Sequence, residues 1–392
     1  MKPTYAMMTK MNIFFSPNKI IFGNGAVGQV GAEAKKFGAR KALIVTDQGV
    51  VKAGLTKGVE ESLKAQKIEY SIFDKVEAEP PAPIVDECGQ LARKEKFDII
   101  IGIGGGSSMD TAKGASLLAK NEGRTVDFVG FDKVPNRGLP KILIPTTAGT
   151  GSEVTRNYVV TDKTDNTKKV IFSEFGLADV AIVDPLLTVS CPPAITADTG
   201  MDSLVHAVET FVSVNATPFS DVLAIEAIRL IGENLPVACL KGENVEARYN
   251  MALATTLGGL AFSSGGLGAV HGLAYVLGTE YHLSHGRTNA ILLPYVVAHN
   301  LPGNPAKYAR IAEAMGERIE GLSTREAAEK LVPCLFRLLE TVGIPYKLGA
   351  YGISKDALPT LVAGGMQFTR LFIPNPRNLT EKDVKQIYES AF

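Results

Sequence analysis

Residues 271–285, HGLAYVLGTEYHLSH, hold three of the five histidines in the chain. Imidazoles so close in sequence are candidate ligands for one metal ion, and a further pair of donors lies upstream. In TADTGMDSLVHAVE, Asp202 and His206 are four residues apart in a helical pattern, so their side chains project from one face about one turn apart. A carboxylate and an imidazole at that spacing can share a divalent cation, much as the paired histidines of H-E-x-x-H do. An isolated Asp/His pair, by contrast, is more often a surface hydrogen bond. His271 follows the glycine-rich GGLGAV, and a helix over about 270–277 with a turn behind it brings His271 and either His282 or His285 towards the helix of Asp202. Spacing does not choose between His282 and His285. One carboxylate with imidazoles suits Fe²⁺ or Zn²⁺ better than Mg²⁺ or Ca²⁺, which prefer oxygen donors. His299, in LPYVVAHN, reads as a helix-end or core residue.

A second chemistry lies in the first half of the chain. FDIIIGIGGGSSMDTAKG sets Gly104, Gly105 and Gly106 at the end of an apolar run and opens a helix at Ser107 or Ser108. Glycines let a ligand approach the backbone closely, and the free N–H groups of a first helical turn attract an anion. The stretch is neither G-x-G-x-x-G nor G-x-x-x-x-G-K-[ST], and a tight turn with a serine cap fits it equally well. KILIPTTAGTGSEVT then supplies Thr146, Thr147, Thr150 and Ser152 after another apolar run, with Gly149 and Gly151 keeping the backbone open. Two such loops at strand ends converge on one sheet edge and suit a pyrophosphate flanked by two sugars. In KALIVTDQG, Asp47 ends a third run. A carboxylate there can take both ribose hydroxyls of an adenosine and repel a 2′-phosphate, favouring NAD over NADP, or it simply starts a turn.

These residues need elements to hold them. NKIIFGNG, KALIVTD, IEYSIFD, FDIIIGIGGG, KILIPTTAG and VAIVDP are strand candidates, several apolar along nearly their whole length, as strands buried on both faces are. Helical segments such as AVGQVGAEAKKFG and APIVDECGQLARKEK alternate with them, which predicts an α/β N-terminal domain on a doubly wound, largely parallel sheet. The polar stretch between Thr161 and Phe172 reads, with its flanks, as a hairpin-like excursion in that domain. From Ala194 onward long periodic segments predict an all-α C-terminal domain. The length of 392 residues exceeds the ~250–300 at which single cores stop growing, and the division is placed at 1–190 and 191–392.

Composition removes several classes of function. Lys plus Arg equals Asp plus Glu, at 41 each, so no net field favours nucleic acid or anionic lipid. Cys88, Cys191, Cys239 and Cys334 contain no C-x-x-C pair, which argues against a zinc cluster or a dithiol motif and for reduced, buried, inert thiols. No stretch approaches the ~20 apolar residues of a membrane span and the N-terminus lacks a signal-peptide core, so the expectation is a soluble cytoplasmic protein.

GGGSSMDTAK, PTTAGTGSEVT, GMDSLVHAVE and VHG(x12)SHGRTNAILLPYV together resemble the signature runs of the iron-containing (group III) alcohol dehydrogenases, and the resemblance extends to the terminal NPRNLTEKDVKQIYE. It implies the dehydroquinate synthase-like architecture, with a dinucleotide domain, a helical metal domain and a cleft between them. The implied metal ligands are Asp202, His206, His271 and His285, to the exclusion of His282. The implied cofactor contacts are Gly104, Gly105, Gly106 and Ser107, with Asp110 in the following helix, then Thr146, Thr147, Ser152, Lys169 near the nicotinamide ribose, and Asp47 as the acidic position of NAD-preferring members. Implied too are Fe²⁺ as the usual metal, hydride transfer between NAD and a small primary alcohol or diol, and a homodimer or larger assembly. One residue departs from the pattern: many members carry H-G-x-x-H, with the second histidine in a proton relay, and this chain has Tyr275 there. Tyr275 is expected to line the substrate pocket or to hydrogen-bond a proton-carrying water. A polyol or glycerol dehydrogenase and a dehydroquinate-synthase-like lyase are the enzymatic alternatives, and a non-catalytic metal- or nucleotide-binding protein is the alternative of another class. Arg370 in GGMQFTRLFIPNPR reads as a surface ion pair, or as a partner for an acidic aldehyde.

Overall fold

The structure, a computed structural model, describes residues 11–164 and 167–392. It contains two compact units, Phe15–Cys191 and Pro192–Phe392, and the described residues before Phe15 belong with the second. That last point departs from a division that assigns all of 1–190 to one domain. The ring of Phe14 lies 5.7 Å from that of Phe219, in the helical unit.

The strands of the first unit are β1 (Ile20–Phe22), β2 (Lys41–Val45), β3 (Glu69–Phe73), β4 (Ile99–Gly104), β5 (Gly130–Phe131), β6 (Lys141–Pro145), β7 (Asn157–Asp162), β8 (Thr167–Phe172) and β9 (Val180–Val183). Six of them form a parallel sheet in the order β1-β9-β6-β4-β2-β3, and these six are the strand candidates read from the sequence. Side chains alternate across a strand, so each strand feeds two cores. Ile44, Ile101 and Ile142 pack with Val30, Ala34, Val59 and Leu63 on one face. Leu43, Ile100 and Leu143 pack with Cys88, Met109, Ala112 and Ala115 on the other. Helices therefore cover both faces, which is why β4 is buried along its whole length. The polar excursion is an antiparallel hairpin of β7 and β8, with β5 beside β8. Residues 165 and 166, within the stretch read as the excursion, lie outside the described residues.

Among the described residues no strand follows Val183. The change of pattern falls at Pro192–Pro193, where a proline in the first helical turn loses no hydrogen bond and pre-sets φ for the helix Pro193–Val212. Helices Pro218–Leu240, Val245–Gly265, Ala269–Tyr281 and His285–Asn300 follow. Val245–Gly265 and Ala269–Tyr281 meet at a bend of 107°, which starts a new helix two residues before His271. No single described helix is long and apolar enough to cross a membrane. The four cysteines form no disulfide, and three are buried while Cys191 is only half-buried, contrary to the uniform burial expected. Burial pushes the thiol of Cys334 up to about 11 and that of Cys88 higher still.

Candidate metal centre and nucleotide loops

Asp202 and His206 project from the middle of Pro193–Val212, both buried. His271 lies in the first turn of Ala269–Tyr281, and His285 is the first residue of His285–Asn300. Three separate elements thus deliver four side chains to one place. The Nε2 atoms of His285, His271 and His206 stand 3.8, 3.9 and 4.0 Å from Asp202 Oδ1. The donor atoms of Asp202, His271 and His285 lie within 4.8 Å of one another. Ligand bonds of ~2.0–2.2 Å to a shared cation put two ligand atoms at most ~4.4 Å apart, so each separation from Asp202 already suits one ion and the widest closes with a small shift.

The donors' own hydrogen bonding tests the fit. His271 Nδ1 is 2.6 Å from Glu209 Oε2, while its Nε2 is buried with no hydrogen-bond partner among the described residues. A buried nitrogen without a partner is costly unless something absent from the protein binds it, and a cation at this point removes the cost. Asn289 Nδ2 donates to Asp202 Oδ1 at 2.7 Å and lies 3.2 Å from His285 Nε2. Burial by itself raises the Asp202 carboxyl, but His206, His285 and His271, with the Asn289 amide, outweigh it and hold the group below the usual carboxylate range. Aromatic rings wall the centre: Phe262 stacks on His206 at 4.7 Å, and Tyr275 lies 5.8 Å from the His285 ring and 4.7 Å from Phe368.

His282 does not join the group. It is the C-cap of Ala269–Tyr281 in the left-handed conformation, φ 55° and ψ 29°, and it is exposed. His299 lies at the end of its helix with Nε2 3.4 Å from Asp383 Oδ1. Arg370 is exposed and, contrary to the ion pair read from the sequence, makes none among the described residues. Glu209 and Asn289 are not among the candidates read from the sequence. Each lies one helical turn beyond an expected ligand, His206 and His285, and a polar residue at that spacing in an apolar helix is the signal that reveals them.

In the first unit, the helix Gly106–Leu118 begins one residue before the serines, with Gly105 as N-cap and no side chain capping its first turn. Gly104 has φ +147°, and a β-carbon there would stand 2.5 Å from Ser108 Oγ. The two loops do meet: Thr146 N donates to Gly104 O at 2.9 Å, and a β-carbon on Gly105 would lie 3.8 Å from Thr147 Oγ1. Asp47 caps Gln48–Lys52 by accepting from Val50 N at 3.0 Å, and its other oxygen accepts from Ser108 Oγ at 3.2 Å, so it borders the glycine loop as well as starting a turn. Asp110 accepts from Ser152 Oγ at 2.6 Å and Val159 N at 3.0 Å, tying the two loops together. Ser107 Oγ accepts from Glu79 N at 3.2 Å, and Lys169 is half-buried on β8.

Residues 17–185 match the family described as iron-containing alcohol dehydrogenase, and residues 196–392 match the C-terminal part of the Fe-containing alcohol dehydrogenase family. The chain belongs to the iron-containing alcohol dehydrogenases. It is 44% identical to long-chain-alcohol dehydrogenase 1 of Geobacillus thermodenitrificans, covering 98% of each chain. It is 40% identical to the NAD-dependent methanol dehydrogenase of Bacillus methanolicus, over 97% of this chain and 100% of that one. The crystal structure of a 1,3-propanediol oxidoreductase superposes with a TM-score of 0.95 at 42% identity, over 98% of this chain and 100% of that one. As an iron-containing alcohol dehydrogenase the protein is an oxidoreductase that transfers a hydride between a nicotinamide cofactor and a small alcohol or aldehyde. The expected sheet domain and helical domain are those of this family.

Proposed function

We propose that the chain oxidises small primary alcohols and diols with NAD⁺ and reduces the matching aldehydes in reverse, with Asp202, His206, His271 and His285 holding its divalent metal. The observation that carries the metal assignment is the buried, unpartnered Nε2 of His271, 3.9 Å from Asp202 Oδ1. Bound by these donors, the cation supplies a Lewis acid for the alcohol or carbonyl oxygen, and the dinucleotide supplies the hydride acceptor or donor. Asp202 contributes the single negative charge of the donor set, so a divalent ion keeps a net positive charge towards substrate. Gly104, Gly105, Gly106 and Ser107 take the pyrophosphate on the uncapped helix start, Thr146, Thr147, Ser152 and Lys169 take the nicotinamide half, and Asp110 holds Ser152 in place. Asp47, beside that loop, favours an unphosphorylated ribose and hence NAD over NADP. Tyr275 and Phe368 form an apolar wall next to His285 that shapes the substrate pocket. We infer a soluble cytoplasmic homodimer or larger homo-oligomer without nucleic-acid or membrane partners.

A substrate screen tests this reading. Protein reconstituted with Fe²⁺ or Zn²⁺ is expected to form NADH from ethanol, 1,2-propanediol and 1,3-propanediol, more slowly with NADP⁺, and to lose activity with a chelator. Turnover of a sugar phosphate with no NADH from any alcohol would sink it. Exposed Arg370, without an ion pair among the described residues, favours adding a small acidic aldehyde to the screen. Unchanged activity of Arg370→Ala on it would remove that second substrate class.

A further inference from the structure

Glu209 sits three residues beyond His206 on Pro193–Val212, 6% exposed, among Val208, Val212, Leu293 and Val297. A carboxylate in such surroundings is unfavourable unless its oxygens are satisfied. Three donors satisfy them: Gly268 N at 2.9 Å and His271 Nδ1 at 2.6 Å on Oε2, and Val270 N at 2.5 Å on Oε1. Two of the three are orphan N–H groups at the start of Ala269–Tyr281, whose N-cap, Gly268, has no side chain to cap them. The cap comes instead from another helix, and Gly268 leaves room for it, since a β-carbon there would lie 3.0 Å from Glu209 Oε1.

Capping alone would need only the two backbone groups. The third contact has a different consequence. Because the carboxylate accepts from Nδ1, the ring proton of neutral His271 resides on Nδ1 and the lone pair on Nε2, the atom that is buried without a partner and faces Asp202. We propose that Glu209 is a positioning residue for the metal centre, fixing the tautomer and orientation of His271 and tying its helix to the helix that carries Asp202 and His206. This rests on the metal reading above. One carboxylate thereby holds two of the three ligand-bearing elements in register before any metal arrives.

The test uses Co²⁺ as the probe. Glutamine offers one acceptor oxygen to three donors and no charge, so in Glu209→Gln at least one donor is left unpaired whichever way the amide turns. The Kd of Co²⁺, from competition with a chelator on the full metal-free chain, is expected to rise about 10–100-fold in Glu209→Gln, the usual effect of losing a partner of a metal-bound histidine. The melting temperature of the metal-free variant is expected to fall by a few degrees only. A second measurement needs no variant: in histidine-labelled, metal-free wild-type protein, the ¹H–¹⁵N spectrum is expected to show His271 as the Nδ1–H tautomer. Glu209→Gln binding Co²⁺ within threefold of wild type, or His271 protonated on Nε2, would overturn the role of Glu209. A wild-type chain that takes up no Co²⁺ would instead overturn the metal assignment itself.

Discussion

A β-carbon on Gly286 would stand 2.3 Å from the carbonyl oxygen of Asp198. Asp198 lies one turn before Asp202, and its carboxylate accepts from Ser284 Oγ at 2.6 Å and Arg287 Nε at 2.5 Å on either side of the glycine. The start of the His285 helix is thus clamped against the Asp202 helix at a distance only glycine allows. Gly286→Ala is expected to cost about 1–3 kcal/mol of stability by overpacking, and to weaken Co²⁺ binding at least tenfold by moving His285. Denaturant unfolding and metal titration measure the two effects; an unchanged metal affinity would show that the clamp does not position His285.

Gly104 is bound to glycine for a different reason, its φ of +147° combined with the 2.5 Å approach to Ser108 Oγ. Gly104→Ala is expected to raise the KM for NAD⁺ tenfold or more, because the helix start proposed to take the pyrophosphate is displaced. Metal uptake should be unchanged, since the proposed metal ligands belong to the other unit. Isothermal titration with NAD⁺ and with Co²⁺ separates the two.

Glu153, next to Ser152 in the second loop, is 1% exposed and neither carboxylate oxygen has a hydrogen-bond partner among the described residues. Burial, against the pull of Lys113, pushes its pKa up from an ordinary 4.5 to about 7. The native state therefore holds the proton more tightly than the unfolded chain. Its contribution to stability is full below about pH 4.5, falls as pH rises from there to about 7, and is level above, a loss of about 3 kcal/mol. Glu153→Gln, uncharged throughout, is expected to be more stable than wild type at pH 8 and to show no such fall relative to pH 5. Urea unfolding at both pH values is the measurement, and parallel behaviour of the two proteins would refute the assignment.

Tyr275 is 9% exposed and packed between the His285 and Phe368 rings. The proposed wall role is one of shape. Tyr275→Phe is expected to keep kcat within about threefold between pH 6 and 9, whereas Tyr275→Ala should raise KM for short alcohols and improve longer ones by about tenfold, the scale of one or two lost apolar contacts. A kcat for Tyr275→Phe that collapses at one end of the pH range would instead assign its hydroxyl to proton transfer.

Much of this architecture is written in short-range pattern. Continuous apolar runs identify the inner strands β2, β4, β6 and β9 because burial on both faces leaves no polar alternation, and i,i+4 spacing alone puts Asp202 and His206 on one helical face. The glycine-rich loop is equally local, since at Gly104 a φ of +147° together with the close approach to Ser108 calls for glycine. Spacing left His282 and His285 open, and family resemblance chose His285. Tertiary packing separates the two: His282 falls where one helix ends in a left-handed cap, whereas His285 opens the next helix, whose start is held by Ser284 and Arg287 on Asp198, across 86 residues of sequence in the case of Ser284. Glu209 meets His271 across 62 residues, a pairing no periodicity encodes. Sequence by itself determined which residue types and faces were available to bind metal and nucleotide. Tertiary packing decided which of them meet, because a contact between distant segments depends on how the helices and strands between them pack, and that is not a property of any local stretch.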